Sequence, residues 1–223
     1  MTRILCLETA STNCSVALSV DGSVAAFKED NGRSYSHSES LHVFIEEMLA
    51  EAEVSLDQLD AIAVSKGPGS YTGLRIGVSA AKGICYAREI PLISINTLRN
   101  MAGAIDSDGL IIPLLDARRM EVYAAVYDSK GEEVKPTWAE IVNEESFKDF
   151  SGDEPVQLVG NGAEKCREIL NYSNFQYNTD LVPSAGSMVQ LAHSKFLQSD
   201  FEDTAYFEPF YLKDFIVTKP KKI

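Results

Sequence analysis

The 223-residue sequence has few of the residues that build metal centres and covalent cross-links, namely four cysteines and three histidines. No two cysteines form a C-x-x-C pair, so we expect buried free thiols in a reducing compartment rather than disulfides. His37 and His42 lie five residues apart, about 140° around a helix, and His193 is distant, which is poor geometry for joint metal binding. The histidines therefore predict no metal centre. The cysteines are Cys6, Cys14, Cys85 and Cys166.

Basic residues are also scarce, because 20 Lys plus Arg oppose 33 Asp plus Glu, a formal net charge of −13. Unless a local basic patch exists, such a surface repels a phosphate backbone, so any link to nucleic acid is expected to run through a partner. Long apolar runs are missing as well. The opening MTRILCLETAST reaches Glu8 after a short apolar run, so we expect no signal peptide, no membrane anchor and a cytoplasmic protein.

What the sequence does contain is a regular alternation of predicted strands and helices. RILCLE, CSVALSV and SVAAFKE predict three antiparallel strands, and apolar residues at helical spacing predict a helix over 38–53. A strand near 61–65, a glycine-rich turn, a helix to about Arg88, the strand PLISIN and the short helix TLRNMAGA follow. The order is βββαβαβ with a final short helix.

The second half repeats that order. LIIPLLD, MEVYAAVYD and EVKPTW predict strands, NEESFKDF a helix, VQLVGNG a strand, AEKCREIL a helix, DLVPS a strand and AGSMVQLAHSKF a helix. A weak echo between ILCLE and IPLLD is either chance or the trace of a duplicated βββαβαβα unit, and the matching element order favours duplication. We therefore predict an α/β, ribonuclease-H-like protein with two mixed sheets, as in sugar kinases and actin, divided into residues 1–104 and 105–223.

Two carboxylates end the first strands of the predicted halves. In this type of fold, Glu8 and Asp116 are candidates for holding a metal-bound nucleotide in a cleft between domains. A strand-end carboxylate followed by small or hydroxyl residues is also a common way to satisfy a turn. The sequence leaves both interpretations open.

The stretch GPGSYTGLRIGVSAAKG, residues 67–83, has five glycines at a strand-to-helix turn. It matches neither the Walker loop nor the dinucleotide-binding fingerprint. One hypothesis is an anion site on the amides near Gly69, Ser70 and Thr72 at the helix start. The other is close packing, since Gly73, Gly77 and Ala80 recur at helical steps and leave one side of the helix without bulk.

Three motifs together carry a family resemblance. SKGPGSYTGLRIGVSAAKG, DARRMEVYAAVYD and FEPFYLKDF resemble the TsaB family (older name YeaZ), and the likeness extends over the whole chain. The resemblance implies an ASKHA-type two-domain fold and a part in forming threonylcarbamoyladenosine beside the tRNA anticodon. It implies a noncatalytic subunit, without a cofactor of its own, that supports a TsaD-like transferase together with a TsaE-like ATPase and reaches tRNA only through that complex.

The related catalytic subunits carry a His-x3-His metal pair. If TLRNMAGA is laid on that segment, the two positions become Thr97 and Met101, and neither side chain replaces an imidazole ligand. The alternative hypothesis is an enzyme in its own right, either a nucleotide-binding kinase or ATPase of the same fold or a glycoprotease-like metallopeptidase.

The resemblance also implies a helix-on-helix interface with the TsaD-like partner, and a homodimer through the same face is expected for the isolated chain. We predict that this interface is formed by the glycine-rich helix and the helix over 38–53, and that replacing Gly77 by leucine weakens it. The predicted interface residues are Leu41, Phe44, Met48, Gly73, Leu74, Ile76, Gly77 and Ala80.

Overall fold

The segment RILCLE forms the central strand of a five-stranded sheet, which explains why five of its six residues are buried. The computed structural model describes residues 1–32 and 37–213, apart from the side chains of His37 and Ser38. The elements of the first half are β1 (Arg3–Glu8), β2 (Cys14–Val20), β3 (Ser23–Asp30), α1 (His37–Glu51), β4 (Ala61–Gly67), α2 (Tyr71–Arg88), β5 (Leu92–Asn96) and α3 (Thr97–Ala102).

The second half carries a second five-stranded sheet. Its elements are β6 (Leu110–Asp116), β7 (Glu121–Tyr127), β8 (Glu133–Ile141), β9 (Val156–Val159), α4 (Ala163–Ile169), β10 (Phe175–Asn178) and α5 (Val189–Leu197). The strand orders are β3-β2-β1-β4-β5 and β8-β7-β6-β9-β10, with the first three strands of each sheet antiparallel and the last two added in parallel. The two sheets therefore share one topology, and the predicted α/β class with two mixed sheets is confirmed.

Two helices pack on the sheet of the other half. α5 lies against β1, β2, β3 and β5, where Met188, Val189 and Ala192 complete an apolar cluster with Ile4 and Ile93. α3 instead contributes to an apolar cluster in the second sheet. The sheets thus separate at about residue 104, whereas the helices cross that boundary. The division into domains 1–104 and 105–223 stays a prediction.

Two elements differ from the sequence-based expectation. Residues 143–150 form turns and a short 3₁₀ segment (Lys148–Phe150) instead of a helix, because the side-chain carbonyl of Asn143 accepts the Glu145 amide at 2.9 Å and Phe147 adopts a left-handed φ of 60°. The strand expected at DLVPS is wrong. The strand is FQYN (Phe175–Asn178), which pairs in parallel with β9.

The period of burial in β10 is the signal that marks it as a strand. Phe175 is buried and Tyr177 half-buried, while Gln176 and Asn178 are exposed, the alternation of a strand with one covered face. Among the described residues, no helix is both long and apolar enough to cross a lipid bilayer.

Candidate partner-binding surface

The glycine-rich stretch lies against the turn that follows β1. A side chain at Gly69 would overlap Ala10, and one at Gly73 or Gly77 would overlap the carbonyl or hydroxyl oxygen of Thr9. The Thr9 hydroxyl group also donates a 2.8 Å hydrogen bond to the Gly73 carbonyl. These glycines therefore bring α2 close to a turn of the same chain.

Two backbone amides at the start of α2 are used within the chain. The Ser70 amide donates to the Ala10 carbonyl at 2.6 Å, and the Ser70 side chain caps the helix by accepting the Gly73 amide at 3.3 Å. Thr72 is exposed on the first turn. The Ser70 amide is therefore not available to an anion, and the anion site at Gly69, Ser70 and Thr72 stays a prediction.

The contact with Thr9 places a carboxyl group inside the protein. Glu8 is fully buried, accepts the Ala10 amide at 2.7 Å and hydrogen-bonds Ser65 and Asn100. Burial raises its pKa, although the hydrogen bonds from Ser65, Ala10 and Asn100 lower it. Glu8 is therefore held inside the fold and does not open onto a cleft.

The same network joins the two halves of the chain. The Asn100 amide group donates to the Ser184 carbonyl at 2.9 Å and accepts the Ser187 hydroxyl at 2.8 Å, just before α5. Asp116, by contrast, is exposed and pairs with Lys165 at 2.7 Å. The network thus joins Glu8 through Asn100 to the turn before α5. Asp116 lies outside this network, because it shares no hydrogen-bond or ion-pair partner with Glu8 among the described residues.

The opposite face of α2 is open. Thr72, Arg75, Ser79, Gly83 and Tyr86 are exposed at helical spacing, and Tyr86 retains 86% of its accessible surface. Around Gly83 there is no neighbouring atom within 4 Å of where a Cβ would lie. This face of α2 is a continuous surface with room for a neighbouring molecule.

An open groove of about 690 Å³ runs along α2 beside α1. None of the described residues that line it is a carboxylate, and the cationic side chain of Arg75 stacks on Tyr71 at 4.4 Å and donates to the Tyr211 hydroxyl at 3.2 Å. Tyr, Arg and aliphatic residues without carboxylates are typical of the centre of a protein–protein interface. The groove is lined by His42, Tyr71, Thr72, Arg75, Ile76, Ser79, Ala80, Gly83 and Ile84. We call it the α1–α2 groove.

The predicted interface residues divide between the core and this groove. Ile76 and Ala80 line the groove, and Phe44 is half-buried against the core. The others are buried by their own chain; they are Leu41, Met48, Gly73, Leu74 and Gly77. The same side chains that gave α1 and α2 their helical periodicity mainly build the core. Contact of these eight residues with a partner stays a prediction.

Sequence reasoning missed Gly83, Tyr86 and the pair formed by Arg75 and Tyr211. Gly83 is one of five glycines in its stretch, yet it is out of step with the close-approach spacing of Gly73 and Gly77, and that offset is the signal that sets it apart. The partnership of Arg75 with Tyr211 spans 136 residues, and no local pattern in the sequence could reveal it.

The positions aligned with the metal pair are unsuited to a metal ion. Thr97 and Met101 are fully buried at the start and end of α3, and the Met101 side chain packs against Gly160 within an apolar cluster. Among the described residues, no group of three or more His, Cys, Asp and Glu could hold a metal ion. His42 lies in the α1–α2 groove and His193 beneath Gly22, on different sides of the first sheet, while the side chain of His37 lies outside the described residues.

The four cysteines are free and buried, as the sequence predicted. Burial raises the pKa of Cys14 to about 11 and that of Cys85 and Cys166 to about 12. The pKa of the Cys6 thiol is raised further by complete burial. Thiols with such values are overwhelmingly protonated at neutral pH, and none of the four is a candidate nucleophile.

Comparison with known proteins identifies the family. Residues 32–218 match the family model described as TsaD, tRNA N6-adenosine threonylcarbamoyltransferase. The tRNA threonylcarbamoyladenosine biosynthesis protein TsaB of Escherichia coli is 32% identical over 97% of this chain and 97% of its own length. YeaZ from Pseudomonas aeruginosa superimposes with a TM-score of 0.81 at 25% identity, over 95% of this chain and 100% of that one.

A more distant structure shows the fold alone. The activator of 2-hydroxyisocaproyl-CoA dehydratase from Clostridium difficile, solved with ADPNP, aligns over 91% of this chain and 99% of that one. Its TM-score is 0.52 at 11% identity, which supports the predicted ASKHA-type architecture. Because a relative at 32% identity covers nearly the whole chain and the fold agrees, the chain belongs to the TsaB family, within the larger TsaD-like group.

Proposed function

We propose that this chain is a noncatalytic subunit that binds a TsaD-like transferase through the α1–α2 groove and so supports formation of threonylcarbamoyladenosine in tRNA. The main support for the proposal is the open face of α2, where the α1–α2 groove contains no carboxylate among its described residues, includes Gly83 and lies on the same helix as the exposed Tyr86. The choice of pathway rests on the relatives, which are described as tRNA threonylcarbamoyladenosine biosynthesis proteins.

The noncatalytic part of the proposal rests on the residues of α3. An apolar cluster surrounds Met101, and Thr97 offers a single hydroxyl group, so this helix cannot supply the ligands of a catalytic metal. The carboxyl group of Glu8 is likewise fully buried and hydrogen-bonded by Ala10, Ser65 and Asn100, so it does not open onto a cleft. These features disfavour the alternative of an independent kinase, ATPase or metallopeptidase.

We assign the remaining roles to the assembled complex in the cytoplasm. A TsaE-like ATPase is the further protein component, and tRNA binds the complex rather than the isolated chain. A second copy of this chain competes for the α1–α2 groove when the transferase is absent, because an isologous contact needs only one self-complementary patch.

The test is a steric block on the groove. Gly83→Trp fills the open space without opposing the fold, since tryptophan has a higher helix propensity than glycine. We expect it to lower affinity for the transferase at least tenfold, about 1.4 kcal/mol, and to reduce threonylcarbamoyladenosine formation in the reconstituted system. Calorimetry and mass spectrometry of tRNA nucleosides measure the two effects.

Gly152→Trp is the matched control, because Gly152 is exposed in the second half and also has open space around it. Unchanged transferase binding by Gly83→Trp would rule out the groove. If the parent chain itself neither bound nor stimulated the transferase, the proposed function would be wrong.

A further inference from the structure

The turn between β6 and β7 breaks a local rule of backbone conformation. Arg118 and Arg119 have φ angles of 68° and 50°, so two consecutive residues with long side chains adopt the left-handed conformation. Glycine and asparagine are the residues preferred there, because a Cβ crowds the neighbouring carbonyl oxygen. A hairpin selected only for folding would carry Asn or Gly at these positions.

Both arginine side chains are exposed and without partners. Neither Arg118 nor Arg119 forms an ion pair, a hydrogen bond through its guanidinium group or a ring contact with any described residue. The other described arginines all have one, as with Arg75 on Tyr71 and Arg99 on Tyr127. The turn therefore presents two consecutive exposed arginines whose guanidinium groups have no partner among the described residues.

Two lysines add to the positive charge of the turn. The Lys165 ammonium group contacts the Asp116 carboxylate at 2.7 Å and the Glu121 carbonyl at 3.1 Å, and Lys213 pairs with the Glu121 carboxylate. We call Arg118, Arg119, Lys165 and Lys213 the basic patch. The carboxylates of Asp116 and Glu121 pair with the two lysines, so the charges of the two arginines are not compensated by an ion pair among the described residues.

The electrostatic environment agrees with this grouping. Burial and the Glu121 carboxylate raise the pKa of Tyr123, whereas the positive charges of Lys213 and Arg118 lower it, so both cations lie near the same ring. The net charge of the whole chain is −13. Because salt screens charges beyond about 8 Å at physiological ionic strength, distant carboxylates affect a ligand at the basic patch less than the four cations do.

From these observations we propose that the basic patch binds the phosphate backbone of tRNA in the assembled complex, with Arg118 and Arg119 as the direct phosphate ligands. The inference rests on the proposed function for the presence of tRNA. The guanidinium fork matches two phosphate oxygens at once, and its planar geometry is the reason that arginine is favoured for phosphate recognition. Phosphate binding would then explain why two arginines are kept in a strained left-handed turn.

The alternative ligand for the basic patch is an acidic surface of a protein partner. Met120 and Ile141 flank the turn with 43% and 69% of their surface exposed, and the Val142 amide donates to the Met120 carbonyl at 2.8 Å. A protein contact would bury these apolar groups and depend on them. A phosphate contact depends on the guanidinium charges and on salt.

The experiment measures binding of an unmodified tRNA substrate to the complex of this chain with its TsaD-like transferase, over a range of salt concentrations. The double variant Arg118→Asn/Arg119→Gly removes both charges and installs the residues that the turn prefers. We expect the slope of log K against log salt to fall by about 1.5, near 0.8 for each lost phosphate contact, with roughly tenfold weaker binding at low salt.

The same variant is expected to raise the melting temperature of the isolated chain by about 2 °C or more, because the strained turn is relieved. Weaker tRNA binding by a more stable protein could not come from misfolding. Lys130→Gln is the control for removing a positive charge elsewhere on the surface, since Lys130 is exposed in the turn at the other end of β7 and has no ion-pair partner among the described residues.

An unchanged salt slope and affinity in the double variant would overturn the proposal. It would also be wrong if Ile141→Ser weakened assembly with the transferase while the arginine variant left tRNA binding intact, because the turn would then be a protein contact. Both readouts compare variants within a complex in which the parent chain is active, so the proposed function can stand while this inference fails.

Discussion

A single buried carboxyl group connects the ends of several elements. Glu8 ends β1, Ser65 lies near the end of β4, and Asn100 belongs to α3 and reaches the turn before α5. A charge in this position is costly unless donors surround it, and here the donors are present. The residue therefore makes the arrangement of the two halves sensitive to its protonation state.

Glu8→Gln is expected to change how stability depends on pH. The folded pKa of Glu8 is raised, so the native state binds this proton more tightly than the unfolded state, whose pKa is about 4.3. Its stabilising contribution is present below about pH 4.3 and is lost as pH rises through the folded pKa. The free energy of unfolding of Glu8→Gln relative to the parent should therefore increase with pH above about 4.3, at a rate of up to about 1.4 kcal/mol per pH unit until the folded pKa is passed.

Urea unfolding between pH 4 and 8 measures this difference. The slope against pH is the relevant quantity, because the amide group of glutamine also changes the hydrogen bonds with Ser65 and Asn100 at every pH. Glu46→Gln on the exposed side of α1 is the control for a general change in net charge. Parallel pH profiles for Glu8→Gln and the parent would contradict the prediction.

Helix α2 has one side on which added side-chain volume would clash and another on which it would not. On one side Gly73 and Gly77 allow the helix to contact Thr9, and on the other side Gly83 has open space around it. The three glycines are indistinguishable by residue type, and their intrinsic effect on helix stability is the same. Only the neighbours of each position decide whether added bulk is harmful.

Alanine substitutions should separate these two surfaces. We expect Gly77→Ala to destabilise the isolated chain by about 1–3 kcal/mol, because its methyl group would overlap the Thr9 hydroxyl oxygen. Gly83→Ala is expected to stabilise the chain by up to about 1 kcal/mol through helix propensity alone. Denaturant titration of both variants gives the two free energies.

Equal stability changes for Gly77→Ala and Gly83→Ala would show that α2 does not pack as described. The result also determines how interface variants are read. A substitution at Gly77 reports on folding of the chain, so the Gly77→Leu variant suggested by the sequence is unsuitable as a test of partner binding.

The two halves of the protein depend on each other through their helices. α5, encoded near the end of the chain, covers the face of the first sheet that contains Ile4, Cys6 and Ile93. α3, encoded in the first half, supplies Leu98 and Met101 to the second sheet. Each sheet lacks part of its cover when the other half is removed.

A fragment of residues 1–104 is therefore expected to fail as an independent domain. It loses Met188 and Val189 from the face of its sheet, and complete burial of each such side chain contributes about 1.5–3 kcal/mol. The fragment should bind a hydrophobic dye and show no cooperative thermal transition, and adding residues 105–223 should restore one. Calorimetry of the fragment, of the mixture and of the full chain makes the comparison.

A sharp transition in the isolated fragment would show that the first sheet needs no cover from α5. The two predicted domains would then be folding units as well as topological repeats.

The local elements and their order could be predicted from the amino-acid sequence alone. The short apolar runs RILCLE and CSVALSV belong to strands buried on both faces, whereas the helical spacing of Leu41, Ile45 and Met48 reflects burial of one face of α1. Both patterns can be read along the chain. The duplicated order of elements followed from these segments, and the absence of a C-x-x-C pair indicated the buried thiols. The predicted helix over 143–150 was wrong, because the side chain of Asn143 bonds its own turn.

Which surfaces face the solvent depends on tertiary packing and could not be predicted in this way. Periodicity marks the apolar side of α2, but it does not show that Gly73 and Gly77 face Thr9 while Gly83 faces outward. The partnership of Arg75 with Tyr211 joins residues far apart in sequence. The lack of an ion-pair partner for Arg118 and Arg119 among the described residues likewise follows from how the chain packs. A local pattern records whether a side chain is buried, whereas the identity of its neighbour is set by how the whole chain packs.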